Sequence, residues 1–170
     1  AFASSSNLYK ISNLGEATIR ATGVTNTQFL EAINNQDIDQ IALADALLLP
    51  NAQAIRISYA EYTDNLQNFT KVVNLVNAKI AITGISNQVT ALAVAADPNV
   101  DVIELVNATT FNQTFTEFNS ASNKARLAKI SNLKDAEFTV TAVSATNALT
   151  VAAIDTVDRV VLTSSPTPIF

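Results

Sequence analysis

The sequence predicts a repetitive α/β fold, a solenoid-like stack of short parallel strands and helices, and two observations carry this prediction. The segment Lys10–Ala17 returns as Lys71–Ala78 and again as Lys129–Ala136, and each copy begins with a Lys-x-x-Asn-Leu motif. The copies start 61 and 58 residues apart, at positions 10, 71 and 129. Each copy precedes a short run in which apolar and polar residues alternate, as in a strand. Repetition at a regular period is typical of stacked repeat architectures.

The repeat divides the 170 residues into units of approximately 4–62, 63–119 and 120–163, with a tail or linker at 164–170. We expect one domain, because this length lies within the usual range for a single domain. The third unit breaks off after its second predicted strand, which favours a segment of a longer array or a terminal linker. A compact three-layer α/β domain with internal similarity is the alternative topology, and we favour the stack.

The first helix of each unit is expected to end at the Lys-x-x-Asn-Leu motif. The expected N-caps are a serine among residues 4–6, Thr63 or Asp64, and Ser120 or Ser122. The motif lysines would then lie near the C-terminus of that helix, where a cation interacts favourably with the helix dipole. The expected apolar stripes are Leu8, Ile11 and Leu14; Leu66, Phe69, Val72 or Val73 and Val76; and Leu127, Ile130 and Leu133.

A strand follows each motif, because residues 19–23, 80–84 and 138–142 alternate between apolar and polar side chains. A small residue closes each of these runs: Gly23, Gly84 or Ala142. We expect either close packing of the backbone or a turn of the chain at that position.

A second helix and a second strand complete each unit. The helix is expected to begin after a hydroxyl cap, at Thr25, Ser86 or Ser144, and Thr25 with Gln28 fits a capping box. The second strands are residues 39–43, 101–105 and 158–162. The expected helical stripes are Phe29, Leu30 and Ile33; Val89, Leu92 and Ala93; and Leu149, Ala152 and Ala153.

The connection to the next unit is expected to vary. Unit one carries a third strand-like stretch at 54–58, whereas unit two has a shorter aromatic segment at 109–117. Strands that are separated by helices pair in parallel, with right-handed crossovers.

Composition excludes several classes of function. The net charge is −5, and the ten basic residues form no cluster, so nucleic-acid binding is not expected. The chain has no His and no Cys, which removes the usual general base, thiolate nucleophiles and the commonest transition-metal ligands. No apolar run is long enough to span a bilayer. We therefore expect no enzymatic activity, no cofactor and no membrane insertion.

Two sets of polar residues recur with the repeat. Asp39, Asp101 and Asp158 precede the second strands; they are candidate Ca²⁺ ligands, or they bond to local backbone in a turn, which we favour. The motif asparagines either face a ligand or form a buried structural ladder that satisfies backbone groups, which we also favour. The motif asparagines are Asn13, Asn74 and Asn132.

Two further polar patterns have an ordinary explanation beside a functional one. The threonines Thr22, Thr83 and Thr141 could present a flat hydroxyl surface, but threonine is also common in strands. Three asparagines fit the N-glycosylation sequon, which also arises by chance in a chain rich in Asn and Thr. These asparagines are Asn68, Asn107 and Asn112.

The texture of the repeats, rich in Ala, Asn, Thr and Val with short α/β units and few charges, resembles repeat segments of very large bacterial secreted, surface-layer or adhesin-type proteins. The resemblance covers residues 10–163. It implies a structural protein at the cell surface or outside the cell, a module of a filament, surface layer or adhesin stalk. Residues 1–3 have the small-x-small form of a signal-peptidase site, which would agree with export, or they mark an arbitrary boundary of the sequence.

The two expected ends of the stack lack charged caps. Leu8, Ile11 and Leu14 lie at one end, and Val160, Val161 and Leu162 at the other. We therefore expect copies of the chain to meet end to end. Two alternatives stay open. One is a carbohydrate- or surface-binding module that presents residues 107–118. The other is a carboxylate-dependent glycan-active enzyme, although the sequence has no Trp and few other aromatic residues on which a sugar could stack.

Overall fold

The computed structural model describes residues 16–48, 53–106 and 109–163, and it is a mixed α/β fold with parallel strands in three small sheets. The sheets have the orders β1-β2, β3-β4-β5 and β6-β7-β8. The strands are β1 (Arg20–Val24), β2 (Gln40–Leu43), β3 (Ile55–Ser58), β4 (Ile80–Ile85), β5 (Val102–Leu105), β6 (Thr110–Thr114), β7 (Glu137–Val143) and β8 (Arg159–Leu162). The helices are α1 (Phe29–Asn34), α2 (Tyr59–Asn65), α3 (Gln88–Ala95), α4 (Phe115–Asn119), α5 (Ala121–Leu127) and α6 (Ala145–Ala152). The predicted α/β class and the positions of the first and second strands of each unit are confirmed.

The described residues fall into two compact units, one that reaches Ile82 and one that starts at Thr83. In the first unit, β1 pairs with β2 in parallel, and Ala21 lies opposite Ile41. The core there contains an aromatic cluster in which Phe69 lies 5.8 Å from both Phe29 and Tyr62, measured between ring centroids. Such tilted ring pairs stabilise a core beyond the area that they bury.

The second unit contains a sheet in which β7 pairs in parallel with both β6 and β8. Phe111 on β6 and Phe138 on β7 are opposite one another in this register, and their ring centroids are 5.5 Å apart. Phe118 of α4 meets Phe138 edge-on at 5.6 Å. The helix that connects two parallel strands therefore covers the face of the sheet that it crosses.

The small residue near the end of each first strand adopts a left-handed backbone conformation. The φ angles are 66° at Gly23, 81° at Gly84 and 56° at Ala142. Strand pairing shifts register there, between Thr22 and Val24 in β1 and between Val140 and Val143 in β7. A Cβ atom built on Gly23 or Gly84 would have no neighbour within 4 Å. Each small residue therefore lies within its strand at a left-handed position, which glycine adopts without strain, and the expected turn is not found because the strand continues beyond it. The close-packing alternative is wrong for Gly23 and Gly84.

The prediction that the first helix of each unit ends at the motif is wrong in units two and three, where the helix ends before the motif begins. In unit two the helix is α2, and its N-cap is Ser58, so Thr63 and Asp64 lie inside the helix. The motif that follows is not helical throughout: a 3-10 turn at Asn68–Lys71 leads to an extended Val72, and a second 3-10 turn covers Leu75–Asn77. Leu66, Val73 and Val76 of the predicted stripe are exposed, whereas Phe69 and Val72 are buried. In unit three, Ser120 caps α5, and Leu127, Ile130 and Leu133 are buried as expected.

The connection at 109–117 has the same order of elements as the connection of unit one, although their sequences differ. It contains β6, which leads into α4 as β3 leads into α2. Both helices start with a capping box, Ser58 with Glu61 and Thr114 with Glu117. The box has the hydroxyl-x-x-Glu form.

The predicted faces of the second helices are wrong in units two and three. Val89 and Leu149 are largely exposed, and the buried residues are Ala91, Val94 and Ala95 in α3 and Val151 in α6. In unit one, Phe29 and Ile33 are buried as expected. The N-cap of α3 is Asn87 rather than Ser86, and its side chain accepts a hydrogen bond from Thr90 N–H at 2.8 Å. Asparagine caps a helix at least as well as serine.

Candidate functional site

The Lys-x-x-Asn-Leu motif of unit two binds the outer edge of β2. Val72 forms a parallel bridge with Ile41, and Val73 N–H donates to Ile41 O at 2.9 Å. The Asn74 side chain continues this pairing. Its Oδ1 accepts from Leu43 N–H at 3.0 Å, and its Nδ2 donates to Leu43 O at 3.4 Å. One side-chain amide therefore replaces the peptide group that a neighbouring strand would offer to Leu43.

The motif of unit three makes the same contacts with β5. Ile130 forms a parallel bridge with Ile103, and Ser131 N–H donates to Ile103 O at 3.0 Å. Asn132 Oδ1 accepts from Leu105 N–H at 2.9 Å, and Asn132 Nδ2 donates to Leu105 O at 3.0 Å. Asn74 and Asn132 thus satisfy backbone groups, as expected of a structural asparagine, but both are half-buried rather than buried, and each bonds to its own strand rather than to the other asparagine. The third expected member, Asn13, lies outside the described residues.

The motif lysines also contact the preceding segment, which sequence reasoning missed. Lys71 Nζ donates to Asn35 O at 3.1 Å, and Asn35 is the C-cap of α1. Lys129 Nζ donates to Asp97 O at 2.9 Å, one residue beyond the C-cap of α3. A cation does meet the negative end of a helix, but the helix belongs to the preceding strand-helix-strand segment. The signal was available, because both the lysine and the segment that it contacts recur with the repeat.

β8 occupies the position in its sheet that β2 and β5 occupy in theirs. Each of the three is the last strand of its sheet and ends in leucine. Leu43 and Leu105 are 4% and 7% exposed, whereas Leu162 is 52% exposed. Across residues 16–48, 53–106 and 109–163, no strand or bridge lies along the outer side of β8.

The outer side of β8 presents hydrogen-bonding groups as well as apolar side chains. Thr163 N–H donates to Val143 O at 2.9 Å, so the main chain of Thr163 faces β7. Main-chain groups of successive strand residues point to alternate sides. The N–H and C=O groups of Val160 and Leu162 therefore point away from β7. The corresponding groups of Ile103 and Leu105 are the ones that the motif of unit three binds.

The acidic residues before the second strands bind backbone. Asp39 Oδ2 accepts from Ile19 N–H at 2.8 Å, and Asp158 Oδ2 accepts from Phe138 N–H at 2.7 Å. In both cases the partner belongs to the start of the neighbouring strand segment, rather than to the turn that we expected. Asp101 is exposed and lies directly before β5. Nowhere in the part of the chain that the structure describes do three His, Cys, Asp or Glu residues cluster as metal ligands would.

The remaining predicted polar residues do not come together at one site. Thr22 is exposed, Thr83 is half-buried, and Thr141 Oγ1 donates to Gln113 O at 3.3 Å. Of the sequons, Asn68 donates to Asn65 Oδ1 at 3.2 Å, and Asn112 is exposed on β6. Asn107 lies outside the described residues.

Each compact unit has a groove beside its capping box. The groove in the second unit has a volume of about 270 Å³. Two buried amides form its floor: Asn123 Nδ2 donates to Gln113 Oε1 at 2.9 Å, and Gln113 Nε2 donates to Asn123 Oδ1 at 3.4 Å. Glu117 and Arg126 lie on its rim. Hydrogen bonds from Thr114 hold the pKa of Glu117 below its ordinary value, so the rim carboxylate is ionised at neutral pH. The groove in the first unit, about 650 Å³, has Glu61 at the equivalent place.

No helix among the described residues has the length and apolar character needed to cross a membrane. Comparison with protein-family models, with curated proteins and with solved structures finds no significant match.

Proposed function

We propose that this chain is a non-catalytic structural module of an extracellular filament, surface layer or adhesin stalk, in which α/β units stack as a solenoid and chains join end to end. The observation that carries the proposal is the difference between Leu162 and its counterparts Leu43 and Leu105. The leucine side chain is buried on β2 and on β5, where a motif binds the main chain of the same residue, and it is half exposed on β8.

Two further observations support this proposal. The same set of contacts joins a motif to the preceding strand twice, at Asn74 and at Asn132, as expected of stacked repeats that contact only their neighbours. Val161 and Ile154, each 37% exposed, add apolar surface around the same strand. Exposed strand edges with apolar side chains are sites at which another chain can pair.

The test is the state of assembly of the whole chain as its concentration rises. We expect ordered end-to-end polymers by electron microscopy and a mass by light scattering that increases with concentration. Val161→Lys should stop growth and leave the fold intact, because a charge at the edge opposes pairing. Val89→Lys is the matched control, since Val89 is 79% exposed and lies on the helix α3 rather than on β8. A chain that remains monomeric at high concentration would contradict the proposal.

A second candidate function is supported by the groove beside Glu117. Its amides, carboxylate and guanidinium are the donors and acceptors that bind sugar hydroxyls, and it adjoins the connection that we expected to present a ligand. Titration of the chain with oligosaccharides, followed by NMR, would test this function. Shifts confined to residues near Gln113 and lost in Glu117→Gln would support it. Unchanged spectra at millimolar sugar would rule this ligand class out.

A further inference from the structure

The motif of the first unit is identical in sequence to a motif whose contacts are known. Residues 10–14 read Lys-Ile-Ser-Asn-Leu, as do residues 129–133. The second of these segments binds the outer edge of β5. Residues 10–14 therefore carry every side chain that the edge of an equivalent strand requires.

The segment that leads into β8 has the same backbone geometry as the segments before β2 and β5, to which the motif lysines of units two and three bind. Asn35 and Asp97, whose carbonyls accept the motif lysines, lie eight residues before Leu43 and Leu105, and Ile154 lies eight residues before Leu162. Each of these carbonyls also accepts a hydrogen bond from the residue three positions later. The three bonds are Ile38 N–H to Asn35 O at 3.3 Å, Val100 N–H to Asp97 O at 3.2 Å and Val157 N–H to Ile154 O at 2.8 Å. The backbone at Ile154 thus has the form of the two segments that already bind a lysine.

We propose that the outer edge of β8 binds residues 10–14 of a second copy of this chain. This inference rests on the proposed end-to-end assembly and assigns its contacts. Lys10 Nζ donates to Ile154 O, and Ile11 pairs in parallel with Val160. The Asn13 amide bonds to both the N–H and the C=O of Leu162. Residues 163–170 contain neither Lys nor Asn, so they cannot make the same contacts themselves.

The register of this junction can be tested by cross-linking, because the chain contains no cysteine. Bridge partners on adjacent parallel strands have Cα atoms within the range that a disulfide spans. We expect an oxidised mixture of Ile11→Cys and Val160→Cys chains to give a disulfide-linked dimer. The matched control replaces Val160→Cys by Val161→Cys, which shifts the register by one residue and turns the thiol to the other face of the sheet. Linkage that is equally efficient with Val161→Cys would overturn the assigned register.

The partner is tested with the chain that carries both Ile11→Cys and Val160→Cys. Oxidation should give a ladder of dimers, trimers and longer species on a non-reducing gel. Cross-linked chains that all migrate at the mass of one monomer would mean that residues 10–14 bind β8 of their own chain, and would overturn the proposal of a second copy.

A double variant tests the side chains. Lys10→Ala with Asn13→Ala removes a charge-assisted bond and a two-bond amide contact, and we expect association to weaken by about tenfold or more. Lys134→Ala with Asn77→Ala is the matched control, because both residues are exposed on 3-10 turns. This inference fails, while the proposed assembly stands, if the Lys10→Ala/Asn13→Ala chains polymerise with unchanged affinity and the Ile11→Cys and Val160→Cys chains form no disulfide. A wild-type chain that never associates would refute both.

Discussion

Asn74 and Asn132 connect the repeated sequence to the repeated geometry. Each amide offers one acceptor and one donor to the terminal leucine of a strand, which would otherwise have both main-chain groups exposed at the sheet edge. Among neutral side chains, only asparagine and glutamine carry a carbonyl acceptor and an N–H donor side by side, as a peptide group does, and glutamine is one methylene longer. The geometry therefore explains why asparagine stands at this place in the motif.

Replacement of Asn74 by alanine should lower the free energy of unfolding. The change leaves Leu43 N–H and C=O without their partner at a partly buried edge, which costs on the order of 1–3 kcal/mol. Asn77→Ala is the control, because Asn77 is exposed three residues further along. Chemical denaturation measures both variants. A denaturation midpoint for Asn74→Ala equal to that of Asn77→Ala would contradict the structural role of the amide.

Ala142 is a residue at which a single substitution should make the fold more stable. Its φ of 56° strains a side chain with a Cβ, whereas Gly84 has a φ of 81° at the equivalent position without that strain. The left-handed conformation costs a non-glycine residue about 1–2 kcal/mol, and the extra freedom of glycine in the unfolded chain offsets about 0.4–1 kcal/mol of the gain. We expect Ala142→Gly to raise the melting temperature and Gly84→Ala to lower it. Shifts of the same sign in calorimetry would contradict this explanation.

At the scale of elements, strands could be predicted from the sequence better than helices. Alternation and the recurring small residue placed β1, β4 and β7, and the acidic residue placed β2, β5 and β8. The face of α1 could be placed, but the face of α3 could not, because α3 has apolar residues on all sides and the choice between Val89 and Val94 is made by tertiary packing.

The candidate site could be predicted in part. The sequence marked the motif asparagines as structural, and the structure supplies the atoms that they bind. The sequence of the motif suggests a helix because Phe69 and Val72 are spaced three apart, but that spacing also fits a 3-10 turn followed by an extended residue. The partner of each lysine could not be predicted, because its carbonyl lies 36 positions away for Lys71 and 32 positions away for Lys129.

The capping boxes make the start of α2 and α4 sensitive to acid. Glu61 Oε2 accepts from Ser58 N–H and from Ser58 Oγ, each at 2.7 Å. These bonds lower the pKa of Glu61 from its ordinary value of 4.5. A carboxyl group whose pKa is lower in the folded state than in the unfolded state stabilises the fold when the pH lies above the unfolded-state pKa. This contribution is lost as the pH falls through the folded-state pKa.

Glu61→Gln should therefore be less stable than the wild type at neutral pH, and the difference should shrink as the pH falls below 4.5. Thermal melts across this range measure the difference, and Glu137→Gln on an exposed strand position is the control. A stability difference that is constant with pH would mean that the charge of Glu61 does not contribute to the cap.

At the scale of the whole molecule, the fold is stabilised by backbone hydrogen bonds and apolar packing, without metal ligands gathered at one place among the described residues. We expect the melting temperature to be the same with and without a strong chelator. A large drop on chelation would point to a carboxylate site for Ca²⁺, and single substitutions of Asp39, Asp101 and Asp158 by asparagine would then locate it.

Association at β8 should stabilise the folded chain by mass action. A partner that binds only the folded state raises the free energy of unfolding by about 1.4 kcal/mol for each tenfold rise in its concentration above the dissociation constant. The melting temperature of the wild type should therefore rise with protein concentration, because binding covers the exposed side chain of Leu162 and the outer main-chain groups of β8. Val161→Lys should melt at one temperature at every concentration, close to that of the most dilute wild type. Val89→Lys should retain the concentration dependence of the wild type. If the wild type and Val161→Lys respond identically to concentration, the edge of β8 is not the place at which chains meet.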